Sequence, residues 1–139
     1  MSRLDGTAVR SADLRGSVVV LDFWATWCPA CRREMPELNK LYAQYRTTSH
    51  VSFWALDVNK GEETPEKARE FMRQRGFTLP VAFDNHDAAT LLLRDQSFPS
   101  LLVLDKAGRI RLIHTGYDRS ERLRAELSAE IDALLKEPI

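Results

Sequence analysis

The sequence has no excess of charge of either sign, because its 139 residues contain 20 Lys and Arg against 20 Asp and Glu. General nucleic-acid binders and proteins that bind anionic membrane surfaces show a basic excess, so the balance argues against both functions. No uninterrupted apolar stretch approaches the ~20 residues of a membrane-spanning helix. The length predicts one soluble globular domain over residues 1–139, large enough to fold without disulfide staples.

Cysteine and histidine are also scarce, with two and three residues respectively. Cys28 and Cys31 could form half of a zinc site, but zinc needs four ligands, and His50, His86 and His114 are far apart in the sequence. A purely structural disulfide would close so short a loop that it restrains the unfolded chain by only about 2 kcal/mol. Two unrelated buried cysteines are a third alternative. The spacing favours a fourth, redox chemistry.

The hydrophobic pattern predicts strands and helices in alternation, followed by a hairpin and a closing helix. Apolar β-branched runs indicate buried strands, and apolar residues at helical spacing indicate amphipathic helices. Thr64, Pro65 and Gly76 provide start and stop signals for one helix. The predicted strands are 7–10, 17–24, 51–58, 79–83, 100–105 and 109–115, and the predicted helices are 29–45, 64–76, 87–93 and one capped by Ser120. This order predicts an α/β sandwich, a mixed central sheet with helices on both faces.

The Cys-x-x-Cys pair falls between a predicted strand and the start of a predicted helix. The first turn of a helix offers unpaired N–H groups and the positive end of the backbone dipole. A thiolate is stabilised there, so Cys28 should be the exposed attacking sulfur. Cys31 lies one turn deeper and can resolve a mixed disulfide formed by Cys28. Pro29 suits the helix start because it has no N–H to leave unsatisfied.

The segment Asp22–Cys31, DFWATWCPAC, resembles the active-site segment of thioredoxin-fold oxidoreductases. The continuation RREMPEL, residues 32–38, is closer to the TlpA/ResA-type thiol-disulfide oxidoreductases of the bacterial cell envelope. The resemblance implies a thioredoxin-like three-layer sandwich with an N-terminal extension. It also implies that the helix and strand between Thr64 and Asp84 correspond to the central insertion of this branch.

The same resemblance implies a substrate-binding surface around the cysteines. Trp27 and Pro29 would border the attacking sulfur, and Phe98 and Pro99 fall where the family has a cis-proline loop that offers backbone groups to a substrate strand. Gly116 matches a glycine that lets the substrate approach. The residues alone leave other interpretations open: Trp27 as a core residue, Pro99 as an ordinary loop proline and Gly116 as a turn residue.

Two acidic residues are candidates for moving the proton of Cys31. Asp22 occupies the buried aspartate position of thioredoxin, and a carboxyl group in an apolar strand should have a raised pKa. Glu34 lies one turn after Cys31 and matches a glutamate that the envelope branch uses. The alternatives are a solvated acid for Asp22 and a first-turn glutamate favoured by the helix dipole for Glu34. Ala55 stands where thioredoxin has a lysine beside the buried aspartate. This difference favours Glu34 over Asp22 as the residue that accepts the Cys31 proton.

These residues predict a thiol-disulfide oxidoreductase that exchanges its Cys28–Cys31 pair with cysteine-containing protein substrates. The resemblance implies a reductase, active in steps such as cytochrome c maturation and supplied by an upstream thiol–disulfide electron donor. The disulfide itself is the redox group, so we expect no separate cofactor, no metal and no nucleic-acid partner, and we expect a monomer. The resemblance places the protein outside the cytoplasm, with a native signal or anchor missing from the given sequence; a cytoplasmic protein is the alternative.

Two other functions fit the same fold. A thiol peroxidase would need a proline and a hydroxyl residue before its cysteine, where this chain has Leu21 and Ala25. A non-catalytic binding module would have no need of an intact cysteine pair.

Overall fold

A computed structural model describes residues 1–3, 7–85, 93, 97–118 and 122–139. In that part of the chain, six strands form one sheet in the order β1-β4-β3-β2-β5-β6. Strand β2 pairs in parallel with β3 and antiparallel with β5, so the predicted mixed sheet is confirmed. The strands are β1 Ser2–Arg3, β2 Val18–Trp24, β3 Val51–Asp57, β4 Val81–Phe83, β5 Ser100–Leu104 and β6 Ile110–Thr115.

Four helices are described: α1 Ser11–Leu14, α2 Pro29–Tyr45, α3 Pro65–Arg75 and α4 Leu123–Leu135. The predicted limits of α3 are confirmed, because Thr64 accepts a hydrogen bond from the Lys67 amide and Gly76 ends the helix with a φ of 67°. Residues 87–92 of the predicted helix 87–93, and the predicted cap Ser120, lie outside the described residues. None of these helices is long and apolar enough to cross a membrane.

The predicted strand 7–10 is wrong. Only Ala8 pairs there, through a single antiparallel bridge to Ser2, and the edge strand is β1 instead. Helix α1 follows directly and was not predicted. Four residues are too few to display a helical period, so the pattern carries no signal for it.

The core lies on both faces of β2, all of whose residues are buried. Val18, Val20 and Trp24 point to one face, where they pack with apolar residues of α2, α3 and α4. Val19, Leu21 and Phe23 point to the other, where Leu14 of α1 and Leu93 cover the sheet. Helices therefore lie on both faces, as the alternating pattern predicted.

The topology brings distant segments to one edge of the sheet. Because β5 is antiparallel to β2, Ser100 at its start pairs with Phe23 near the end of β2. The cysteine pair, which follows β2, therefore lies near Phe98–Pro99, which precede β5. Strand β3 is parallel to β2 and ends opposite Trp24 with Asp57, so the segment that follows β3 reaches the same edge.

Candidate active site

Cys28 and Cys31 are joined in a disulfide at the N-terminus of α2, with their Cα atoms 5.2 Å apart. Cys28 is the N-cap residue, and its sulfur accepts a hydrogen bond from the Cys31 amide at 3.2 Å. Pro29 occupies the first turn and is exposed. The Cys28 sulfur therefore lies where the backbone field of a helix stabilises a thiolate once the bond is reduced.

Cys28 was predicted to be exposed, but the structure covers most of it. Cys28 is 5% exposed and Cys31 is fully buried, so Cys28 is the outer residue but is itself largely covered. Phe98 packs against the core cluster that contains both cysteines. Little of Cys28 is therefore open to solvent while the disulfide is formed.

An aromatic and proline surface borders the disulfide. Trp27 is 46% exposed, which excludes the alternative that it is a core residue. Its ring meets Phe98 edge to face with the centroids 6.2 Å apart, and its indole N–H donates to the Lys60 carbonyl at 3.0 Å. The Phe98–Pro99 peptide bond is cis. Trp27 is thus exposed, and its ring is held by contacts with Phe98 and Lys60.

Gly116 follows β6 and is tied to the cis-proline loop. Its amide donates to the Pro99 carbonyl at 2.7 Å, and its φ of 78° lies in the left-handed region that favours glycine. A Cβ atom added there would meet nothing within 4 Å. The backbone conformation is therefore enough to require glycine, and the space in front of it is open.

Asp22 and Glu34 form a buried pair of carboxyl groups. Asp22 is 1% exposed and Glu34 is fully buried, so neither is a solvated surface acid. Val20 and Trp24 share a cluster with Cys31, so Asp22, which lies between them in the strand, points to the same face as that cysteine. Burial raises the pKa of Asp22 well above its usual value, and the charge and hydrogen bonding of Glu34 raise it further.

A second pair, Asp57 and Glu63, lies beside the segment that precedes Cys28 and was not predicted. Asp57 is fully buried and Glu63 is 5% exposed. The Thr26 amide donates to Glu63 Oε2 at 2.5 Å, and the Thr26 hydroxyl donates to Oε1. Burial first, then the hydrogen bond and charge of Glu63, raises the pKa of Asp57 to about 10. Asp57 had the same signal as Asp22, a carboxyl group inside an apolar run.

The comparisons with known proteins agree with this geometry. A sequence model of the AhpC/TSA family matches residues 1–113. The thiol-disulfide oxidoreductase ResA of Geobacillus thermodenitrificans (strain NG80-2) is 33% identical over 129 residues, which are 93% of this chain and 72% of that protein. The chain belongs to the AhpC/TSA family.

Two further relatives place this AhpC/TSA protein among thioredoxin-like redox proteins. The thioredoxin-like protein YneN of Bacillus subtilis (strain 168) is 29% identical, over 94% of this chain and 75% of its own length. A crystal structure of a thiol-disulfide isomerase from Corynebacterium glutamicum superposes with a TM-score of 0.80 and 25% identity, over 99% of this chain and 93% of the other. With its bonded cysteine pair and thioredoxin-like fold, this AhpC/TSA protein is a thiol-disulfide oxidoreductase.

The zinc alternative finds no support among the described residues. There, no three His, Cys, Asp or Glu side chains are grouped as a metal ion requires. His86, one of the three histidines of the zinc alternative, lies outside those ranges.

Proposed function

We propose that this AhpC/TSA protein is a reductase of disulfides in other proteins. The observation that carries the proposal is the position of the pair: Cys28 caps α2 as the outer sulfur, and Cys31 is fully buried behind it on the face of the sheet that also carries Asp22. A sulfur at a helix N-terminus is a good attacking and leaving group, and a buried partner one turn away can resolve the intermediate.

The exchange has two steps. In the first, the Cys28 thiolate attacks one sulfur of the substrate disulfide, forms a mixed disulfide and releases the other substrate sulfur as a thiolate. In the second, Cys31 loses its proton and attacks the Cys28 sulfur, which forms the Cys28–Cys31 bond and releases the remaining substrate sulfur. Two electrons pass from the protein to the substrate, and the two released substrate thiolates take up protons from the solvent. An upstream thiol–disulfide donor then reduces the pair again.

Asp22 and Glu34 together would accept the proton of Cys31. If the two carboxyl groups share one proton, the pair still contains one ionised carboxylate, which can act as a general base. Glu34 follows Cys31 by one helical turn, so both project from the same side of α2. Two interacting acids titrate as a unit, so the proton from Cys31 is accepted by the pair and not by Asp22 or Glu34 alone.

Trp27, Pro29, Phe98, Pro99 and Gly116 would bind the substrate segment around its cysteine. The exposed Trp27 ring and the open space at Gly116 leave room for an extended chain along the disulfide. A strand laid on this surface would pair with backbone groups of the cis-proline loop, which supports a protein rather than a small-molecule substrate. We also propose that the protein acts as a monomeric single domain outside the cytoplasm, by its resemblance to the cell-envelope branch.

The experiment is reduction of a model protein disulfide by the reduced protein and by two serine variants. Cys28→Ser should abolish reduction, because the attacking sulfur is gone. Cys31→Ser should accumulate mixed disulfides that contain Cys28. Full activity of Cys28→Ser would overturn the assignment. A separate redox titration of the wild type against glutathione measures its reduction potential and so tests the direction of electron flow.

The peroxidase alternative has no support at the positions that it needs. Leu21 and Ala25 stand at those positions, and neither side chain has the proline ring or the hydroxyl that would bind peroxide at the sulfur. Peroxide consumption by the reduced protein at a rate comparable with disulfide reduction would favour that function instead.

A further inference from the structure

The segment between β2 and α2 is bound to the segment between β3 and α3 by side-chain hydrogen bonds that the exchange steps do not use. Glu63 accepts from the Thr26 amide at 2.5 Å and, through its other oxygen, from the Thr26 hydroxyl. Three residues before Glu63, the Lys60 carbonyl accepts from the Trp27 indole at 3.0 Å. Thr26 and Trp27, the two residues before Cys28, are therefore both hydrogen-bonded to the segment 60–63.

Glu63 lies beside a second buried acid, Asp57. Both side chains are almost fully removed from water, where a carboxyl group is costly unless it is hydrogen-bonded. Burial first, and then the neighbouring Glu63, raise the pKa of Asp57 to about 10, so Asp57 places no second negative charge beside Glu63 at neutral pH. Glu63 therefore accepts its two hydrogen bonds from Thr26 with a neutral acid beside it.

Thr26 has a partner at every polar group. Its amide and hydroxyl bind Glu63, and its carbonyl accepts from Arg32 Nη1 at 2.7 Å. The next turn is bound as well, because the Cys28 amide donates to the Ala25 carbonyl at 3.2 Å. A shift of Thr26 would break several hydrogen bonds and displace Cys28, two residues further along the chain.

We propose that Glu63 is a positioning residue for the attacking sulfur of Cys28. By fixing Thr26 it keeps Cys28 at the N-cap of α2, where the sulfur faces the amides of the first turn. The proposal rests on the redox activity of the cysteine pair and not on the direction of electron flow.

Two effects of Glu63 on the Cys28 thiolate have opposite signs. If Glu63 acts by position, its loss loosens the N-cap, the thiolate loses the helix field and Cys28 reacts more slowly at neutral pH. If Glu63 acts only through its negative charge, its loss relieves repulsion and Cys28 reacts faster. The other titratable and charged groups on the surrounding elements are the same in both cases: Asp22, Arg32, Arg33, Glu34, Asp57 and Lys60.

The experiment measures the rate of iodoacetamide alkylation of Cys28 against pH in the reduced protein. Glu63→Gln keeps the shape of the side chain but cannot accept from both donors of Thr26. We expect it to slow alkylation at pH 7 by about threefold, which corresponds to a thiolate titration roughly half a pH unit higher. The matched control is Glu62→Gln, an exposed neighbour with the same change of charge, and its profile should equal that of the wild type.

An unchanged or faster rate for folded Glu63→Gln would overturn the proposal, since a merely structural role lowers the unfolding temperature without moving this profile. If Glu63→Gln does not fold, Thr26→Val and Thr26→Ser make the same test without changing any charge. Valine removes the hydroxyl donor and should slow alkylation, whereas serine keeps the donor and should restore the rate. Equal rates for the two Thr26 variants would also overturn it.

Discussion

Replacing Asp22 with asparagine should make the protein more stable, and the gain should grow with pH. Asp22 is 1% exposed, and its pKa is raised well above 3.8 by burial and then by Glu34. The unfolded chain releases this proton near pH 3.8, whereas the folded chain retains it. The stabilisation is therefore complete below pH 3.8 and is lost progressively as the pH rises towards the folded pKa.

The size of the effect follows from one proton. Each pH unit in that window lowers the free energy of unfolding of the wild type by about 1.4 kcal/mol, relative to a variant that binds no proton at this position. The advantage of Asp22→Asn should therefore grow by this amount with every pH unit above pH 3.8 over which the folded pair keeps its proton.

Urea unfolding of the oxidised protein at several pH values measures this difference. The disulfide keeps both thiols from titrating, and the contributions of the histidines cancel between the two proteins. An advantage of Asp22→Asn that does not change with pH would refute the reasoning, because the native state would then hold no proton at this site.

Three further predictions concern the surroundings of the disulfide and one helix end. Asp57→Asn should reduce the decrease in the free energy of unfolding with pH by about 1.4 kcal/mol per pH unit between pH 6 and 8, because the raised pKa of Asp57 lies above this window. Urea unfolding at several pH values measures this dependence, and the same dependence in the variant and the wild type would contradict the prediction. Trp27→Ala should raise the KM for a protein disulfide several-fold with little loss of stability, since the ring is exposed; an unchanged KM would exclude Trp27 from the binding surface. Gly76→Ala should lower the free energy of unfolding by roughly 1 kcal/mol because of its positive φ, which thermal unfolding measures, and no loss would contradict that reason.

Much of the fold could be predicted because its signals are local. The buried strands show as apolar runs, and α3 shows its limits in Thr64 and Gly76. The two failures have different origins. Helix α1 is too short to show a period, and β1 has two residues whose pairing with β4 depends on a partner about 80 positions away in the chain.

The candidate site divides in the same way. The cysteine spacing and the helix start are adjacent in sequence, so the chemistry of Cys28 and Cys31 could be inferred from the residues themselves. Trp27 could be placed beside them, but its exposure could not, because that depends on how Phe98 and Lys60 pack around it.

The amino-acid sequence by itself determined the reaction class, because a thiol pair at a strand-to-helix junction needs only local order and the backbone field of one helix. Tertiary structure alone decided which acids meet. Asp22 contacts Glu34 because α2 packs on β2, and Asp57 contacts Glu63 next to Thr26 because β3 ends beside β2. The pKa of a buried carboxyl group depends on its distance from water and from other charges, and both are properties of the packed molecule.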